Sequence, residues 1–278
     1  MMNQHQANGV LYLTFPSFDK IPFVYHAFST RQGGVSKGIY SSMNLNFNRG
    51  DEAANVFSNF AILCDAMRID PITLVLSDQT HTSNILAVTN EDCGKGLVRA
   101  KTWKDVDGLV TKDPDVSLVT LYADCVPLFF IDPVRRVAAT AHAGWKGTVL
   151  AIASKMVDVM HCQFSCEPAD ILVGIGPSIG QCCFEVDETT AKAFQSLPES
   201  VVTKGCVKQR PDSADPSRFK YDINLQEINR NLLLQAGIAE DHIEMADICT
   251  KCNHEWLFSH RATNGQRGGM AAIIGIRE

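Results

Sequence analysis

LVTLYADCVPLFFIDPVRRVAATAHAGWKGTVLAI, residues 118–152, is the stretch on which the reading of this chain turns. It holds apolar runs at 118–123, 126–131 and 137–143, each of strand length, rich in Val, Leu, Phe and Thr, and bounded by polar or Pro-containing breaks. That is the pattern of buried strands. The break Asp132-Pro-Val-Arg-Arg136 reads as a turn, so the second and third runs should form an antiparallel hairpin. Pairing Ile131 with Val137 sets Val126 opposite His142 and Cys125 beside Ala143. A thiol and an imidazole then meet at the hairpin's open end.

Such a pair has two chemical uses. Cys and neutral His are zinc ligands, and a Cys beside a His is also a nucleophile and its base. Downstream, Gly144-Trp-Lys-Gly147 leads into residues 148–160, where Val149, Ile152, Ala153, Met156, Val157 and Met160 fall on one helical face. A strand, a glycine-bracketed loop and a helix start can hold an anion on backbone N–H groups, with Lys146 beside them. Upstream, His81 sits in the polar run Ser77-Asp-Gln-Thr-His81 rather than on an apolar face. His81, Cys125 and His142 together supply three ligands and leave a fourth tetrahedral position open, the catalytic form of a zinc site. The plainer readings are a buried apolar Cys and a satisfied core His.

Working outward, strands are expected at 9–15, 22–28, 74–76, 85–88, 170–176, 243–246 and 269–277, and helices at 51–69, 148–160, 187–197 and 221–236. The first residues read as a loose start, and 208–218, with its Asp and Pro, as a mobile loop. Residues 29–38, STRQGGVSKG, place Arg31 and Lys37 in a glycine-rich segment able to face an anion, with a plain surface loop as the alternative. Strands adjacent in sequence with helices between them predict an α+β architecture of mixed β-sheets with helices packed outside, one domain over residues 1–278.

Composition excludes several classes. The chain has 278 residues, 45% hydrophobic and 20% charged, with net charge −6 and no basic run, so nucleic acid is not expected as a partner. No apolar run approaches membrane-spanning length and the N-terminus lacks a signal pattern, which points to a cytoplasmic protein with no membrane association. Its 10 cysteines are therefore expected as thiols. Cys249-Thr-Lys-Cys252 is the C-x2-C of the chain. Cys162 with Cys166, or Cys182 with Cys183, are poorly spaced second pairs, so these thiols are expected to be packed or incidental. A serine triad is set aside for want of a nucleophile elbow. No exposed apolar element demands a partner, and a monomer or weak homo-oligomer is expected.

HAFSTRQGGVSKGIYSSMNL (26–45), DQTH (78–81), DGLVT (107–111), ADCVPL (123–128), HAGWKGT (142–148), GPSIGQCCFEV (176–186), Cys249-Thr250 and SHR (259–261) resemble, in order and across nearly the whole chain, the YfiH-like family. It is also called the laccase-domain or polyphenol-oxidase family, and its bacterial members are described as purine nucleoside phosphorylases. The resemblance implies a single α+β domain and zinc, or alternatively copper, held by His81, Cys125 and His142. It also implies that Arg31 lines the same pocket, and extends to Gln79 and Arg261 as substrate-binding residues. Two positions depart from the family pattern: Lys146 and His260 stand where Arg is common. If those contacts hold phosphate, the bidentate fork is lost there.

Residue chemistry sorts the family's activities. A multicopper oxidase needs a blue-copper site and a trinuclear cluster, typically supplied by H-x-H pairs; this chain has 8 His and no H-x-H. An open zinc with nearby cations fits phosphorolysis of purine nucleosides such as adenosine, inosine and methylthioadenosine, or their deamination, with Arg31 and Lys146 on the anion and Tyr40 or Trp145 stacked on the base. The substrates would be a purine nucleoside and phosphate. The alternatives are a zinc amidohydrolase editing peptidoglycan precursors, a copper-dependent polyphenol oxidase, Cys125 as a metal-free nucleophile with His142 as base, and a non-catalytic metal-binding protein.

Overall fold

The computed structural model describes residues 2–213, 215 and 217–278. Two six-stranded sheets carry it. The first runs Asn3–Ala7, Val10–Thr14, Val24–Ser29, Met270–Ile276, Ser117–Tyr122, Leu74–Leu76. The second runs Ile243–Met245, Leu172–Ile175, Val126–Asp132, Val137–Ala143, Gly108–Thr111, Ile85–Ala87. Both are mixed: Leu74–Leu76 pairs parallel with Ser117–Tyr122, as do Ile85–Ala87 with Gly108–Thr111 and Leu172–Ile175 with Ile243–Met245, while the other pairings are antiparallel.

The sheets pack face to face, and the side-chain alternation of each strand divides its residues between two cores. From Val126–Asp132, Phe129 and Ile131 point between the sheets, against Phe15, Phe28, Leu118 and Ile274. Val126, Leu128 and Phe130 point outward, under the helix Ile152–Phe164 and its Met156 and Met160. The outer face of the first sheet is covered by the helix Ala53–Met67, whose Val56, Phe60 and Leu63 pack on Val119, Ala271 and Ile273. Burial on both faces explains why the central strands read as continuous apolar runs. Each fully buried Phe among them contributes roughly 2–3 kcal/mol of transfer free energy. The α+β architecture of mixed sheets with helices outside is thus what the molecule shows.

Several expectations need correction. The central hairpin forms, but one residue out of the expected register: Asp132 pairs with Val137, and Pro127 rather than Val126 lies opposite His142. Asp132 belongs to the strand because its Oδ1 accepts the N–H groups of Val134 and Arg135, each at 2.8 Å, closing the turn one residue later. The start is not loose: Asn3–Ala7 pairs with Val10–Thr14. The helix expected at 148–160 is two, Trp145–Val149 and Ile152–Phe164, broken at Ala151 with φ 55°. The expected loop 208–218 is in part strand: residues 208–211 belong to Val207–Pro211, which pairs in a hairpin with Phe219–Ile223, and Ala214 and Pro216 lie outside the described residues. Polar strands tied by Arg210 to Asp222 at 3.0 Å show no apolar alternation to read. The same hairpin claims residues 221–223, so the following helix is Leu225–Gln235, capped by Asn224.

Candidate metal and substrate site

The inter-sheet face of Val137–Ala143 carries Thr140 and then His142 toward the open end of the sandwich. Thr140 bonds Thr120 of the opposite sheet at 2.9 Å, and the ring of Tyr122 lies 5.5 Å from that of His142. His142 is buried, and its Nδ1 lies 2.7 Å from Oδ1 of Asp107 at the start of the neighbouring strand. Asp107 is wholly buried. Its carboxylate also accepts the backbone N–H groups of Thr80, His81 and Thr82 and the Thr82 hydroxyl. One carboxylate therefore fixes both the His142 ring and the loop carrying His81, whose own φ is +66°.

Cys125 follows Asp124, whose φ of 90° turns the chain just before the strand Val126–Asp132. Its Sγ lies 4.0 Å from His81 Nε2. The ligand atoms of His81, Cys125 and His142 all fall within 4.8 Å of one another. Gly144 permits this approach: a Cβ there would stand 2.8 Å from His81 Cδ2 and 3.1 Å from Cys125 Sγ. Burial would raise the Cys125 thiol, but the charge and hydrogen bond of His142, with a second from His81, outweigh it and bring the thiol down to about 6. Burial likewise acts to lower His142, and the Cys125 thiolate and Asp107 override it, raising the ring to about 9. Without a metal, the two form a thiolate–imidazolium pair.

The donor set fits a zinc-type ion. A soft thiolate and two borderline imidazole nitrogens converge, and the Asp107–His142 contact is the outer carboxylate that orients such ligands. The three residues face a cavity of about 630 Å³.

The cavity's other walls differ from expectation. Gln79 lines it, but its amide is committed to the backbone of Leu121, accepting from N–H at 2.7 Å and donating to the carbonyl at 2.8 Å. Arg261 lines it too, with its side chain donating to the carbonyl of Glu185 at 2.8 Å and its backbone N–H to Asp124 at 2.7 Å. Arg31 is not on this cavity: its guanidinium donates to the carbonyls of Ser41 and His254 and lies 4.6 Å from the centre of the Phe258 ring. Lys146 is exposed, beside the Trp145 ring rather than in the cavity, because its short helix lies tight on the backbone of His142 and Thr82. Tyr40 is held away by a bond to the Arg49 carbonyl, and Trp145 packs on the outer core.

In their place the structure offers Arg49, His260 and Arg267. Arg267 is buried, its Nη1 donates to the Gly268 carbonyl at 3.0 Å while its Nε has no hydrogen-bond partner among the described residues, and burial with Arg49 nearby draws its guanidinium down to about 10, still cationic near neutrality. Burial and the surrounding arginines lower His260. The aromatic surface comes from Phe47, Phe57 and Phe184. The signal for Arg267 was faint: a lone Arg in the run Thr263-Asn-Gly-Gln-Arg-Gly-Gly269 before the last strand.

Two further points correct the sequence reading. Gly176-Pro-Ser-Ile-Gly180 does spell the G-x-S-x-G pattern, but Ser178 is fully buried and accepts a hydrogen bond from Gln226 at 2.8 Å, so it is no nucleophile elbow. Cys182, Cys183, Cys249 and Cys252 are not scattered thiols; they meet in one cluster.

Fold and site together define a class. The profile of the family described as multi-copper polyphenol oxidoreductase laccase matches residues 25–277, and the chain belongs to that family. Among its relatives, the purine nucleoside phosphorylase YlmD of Bacillus subtilis (strain 168) is 36% identical over 256 residues, 92% of this chain and 89% of that protein. The adenosine deaminase RL5, from an unknown prokaryotic organism, is 32% identical over 84% of this chain and 87% of its own. The crystal structure of Bacillus licheniformis hypothetical protein YfiH matches with a TM-score of 0.87 at 35% identity, covering 99% of each chain. No helix among the described residues is long and apolar enough to cross a membrane.

Proposed function

We propose that this chain is a zinc-dependent purine nucleoside phosphorylase acting at the His81–Cys125–His142 cavity. The observation that carries the proposal is that one cavity is lined both by this donor set and by Arg49, Arg261 and Arg267. The activity named for YlmD supports it. A zinc ion held by His81, Cys125 and His142 would supply a Lewis acid.

The chain's own groups do the rest. With the ion bound, Asp107 would keep the proton on His142 Nδ1 and leave Nε2 free as the ligating nitrogen. Arg267, whose Nε has no acceptor among the described residues, and Arg49 beside the same cavity would hold the phosphate dianion. Phe47 and Phe184 offer flat apolar faces for a purine. An oxygen of hydrogen phosphate would bond to C1′ of the ribose as the C1′–N9 bond breaks, and the proton that the phosphate gives up would pass to the departing purine. Arginines holding the phosphate beside the ribose would favour that attack over water's.

Deamination of adenosine at the same site is a second reading, favoured by the name of the RL5 relative. One experiment tests both: inosine and adenosine turnover with and without phosphate, following free base, ribose 1-phosphate and ammonia, on wild type and Cys125→Ala. Phosphate-dependent base release lost in the variant supports the proposal. Ammonia without base release selects deamination, and no turnover of either nucleoside refutes both.

A further inference from the structure

Cys182 and Cys183 lie in the turn between the strand Leu172–Ile175 and the short strand Glu185–Val186, and Cys249 and Cys252 in the turns that follow Ile243–Met245. The segments are far apart in sequence but joined in space by a bridge of Ser178 with Cys249, in which Thr250 N–H donates to the Ser178 carbonyl at 3.0 Å. The Cys252 sulfur lies 3.7 Å from that of Cys182 and 3.5 Å from that of Cys183. All four sulfur atoms fall within 4.8 Å of one another. We propose that these cysteines form a second metal site, distinct from the His81–Cys125–His142 set, that binds one thiophilic divalent cation, zinc, through four thiolates.

The spacing is the main argument. A disulfide requires sulfur atoms about 2.05 Å apart. Tetrahedral zinc with bonds of about 2.3 Å places its sulfur ligands roughly 3.8 Å from each other, close to the distances found here. One of the four sulfurs also has the surroundings of a thiolate. The N–H of Gly180 donates to Cys249 Sγ at 3.3 Å, and the N–H of Cys252 bonds the same sulfur. Position 180 admits only a small residue, since a Cβ there would stand 3.3 Å from both Cys182 Sγ and Cys249 Cβ. The thiols are half-buried or exposed, so an ion has access. Binding would release the thiol protons and close the tetrahedron with protein ligands, leaving no position for substrate.

The site has a structural consequence. Ile179 and Phe184 flank the first cysteine pair and line the cavity, and the carbonyls of Cys183 and Glu185 receive Arg261. An ion joining 182–183 to 249–252 would pin that wall to the segment carrying Arg261.

The test is metal content of the purified full chain, wild type, Cys125→Ala, Cys252→Ser and Cys182→Ser, with zinc measured by elemental analysis. About one zinc per chain should persist in Cys125→Ala and be lost from either four-cysteine variant when added to it. Cobalt(II) loaded into Cys125→Ala should give the strong visible bands and thiolate-to-metal charge transfer of a tetrahedral thiolate site. That arm uses an intact cluster and stands even where a cluster variant fails to fold. A Cys125→Ala protein that takes up neither ion overturns the proposal, as does a count of free thiols, under denaturant without reductant, two below the total, which would indicate a disulfide.

Discussion

Oδ1 of Asp107 lies 2.7 Å from Nδ1 of His142, and the same carboxylate receives the backbone N–H groups of Thr80, His81 and Thr82. Two of the three candidate metal ligands thus take their positions from one buried side chain on a third strand. Asp107→Asn keeps the size but gives up the negative charge and one acceptor. We expect zinc affinity at the His81–Cys125–His142 set and phosphorolysis to fall together, by about 10- to 100-fold, measured by chelator competition and initial rates. Unchanged zinc affinity would sink this account of Asp107.

Gly144 is a point at which the thiol and the first imidazole both lie close against the backbone, where a Cβ would crowd them. Its φ of −67° is open to any residue, so Gly144→Ala tests space alone. The added methyl must displace His81 or Cys125, and we expect turnover to drop on the order of 100-fold, with thermal melting nearly unchanged. Full activity in the alanine variant would show that the ligands tolerate the shift.

Arg267 and Arg31 should separate function from scaffold. Arg267→Met removes a cavity cation without a partner for its Nε, and the Michaelis constant for phosphate should rise about 10- to 100-fold, the range of a hydrogen bond to a charged group. Arg31→Met should leave that constant alone and lower the melting temperature, because Arg31 ties Ser41 and His254 carbonyls together. The reverse pattern in phosphate titrations would put the anion at Arg31.

His26 gives the fold a pH dependence away from the site. It is buried, its Nε2 accepts the Phe15 N–H at 2.7 Å, and burial lowers it from 6.5 to about 4. Between those values the unfolded chain binds a proton that the folded chain refuses. Its contribution is therefore complete above pH 6.5 and is lost as pH falls through about 4. The loss is on the order of 3 kcal/mol. Urea unfolding at stepped pH should show this slope, and His26→Gln, which keeps an acceptor and cannot titrate, should flatten it.

Much was legible in residues 118–152. The sheet class, the central hairpin and the convergence of Cys125 with His142 follow from apolar runs, a turn sequence and the rarity of such side chains beside one another. Local sequence also marked the cap at Asp187, but not the one at Asn224, which the helix expected at 221–236 ran over. What stayed hidden lacks a local cause. The register moved by one residue because the Asp132 side chain closes the turn, a choice of hydrogen bonds that apolar patterning does not encode. Arg267 faces the cavity and Arg31 does not because of how distant loops cross, although both look alike as cations beside glycines. The sequence by itself determined mixed sheets of buried strands with helices outside, and singled out the side chains of His81, Cys125 and His142. Only the tertiary structure decided which groups come together: Asp107 with His142, Arg267 and Arg49 on one cavity, and Cys182 and Cys183 with Cys252, arrangements that depend on long-range chain closure and leave no periodic trace.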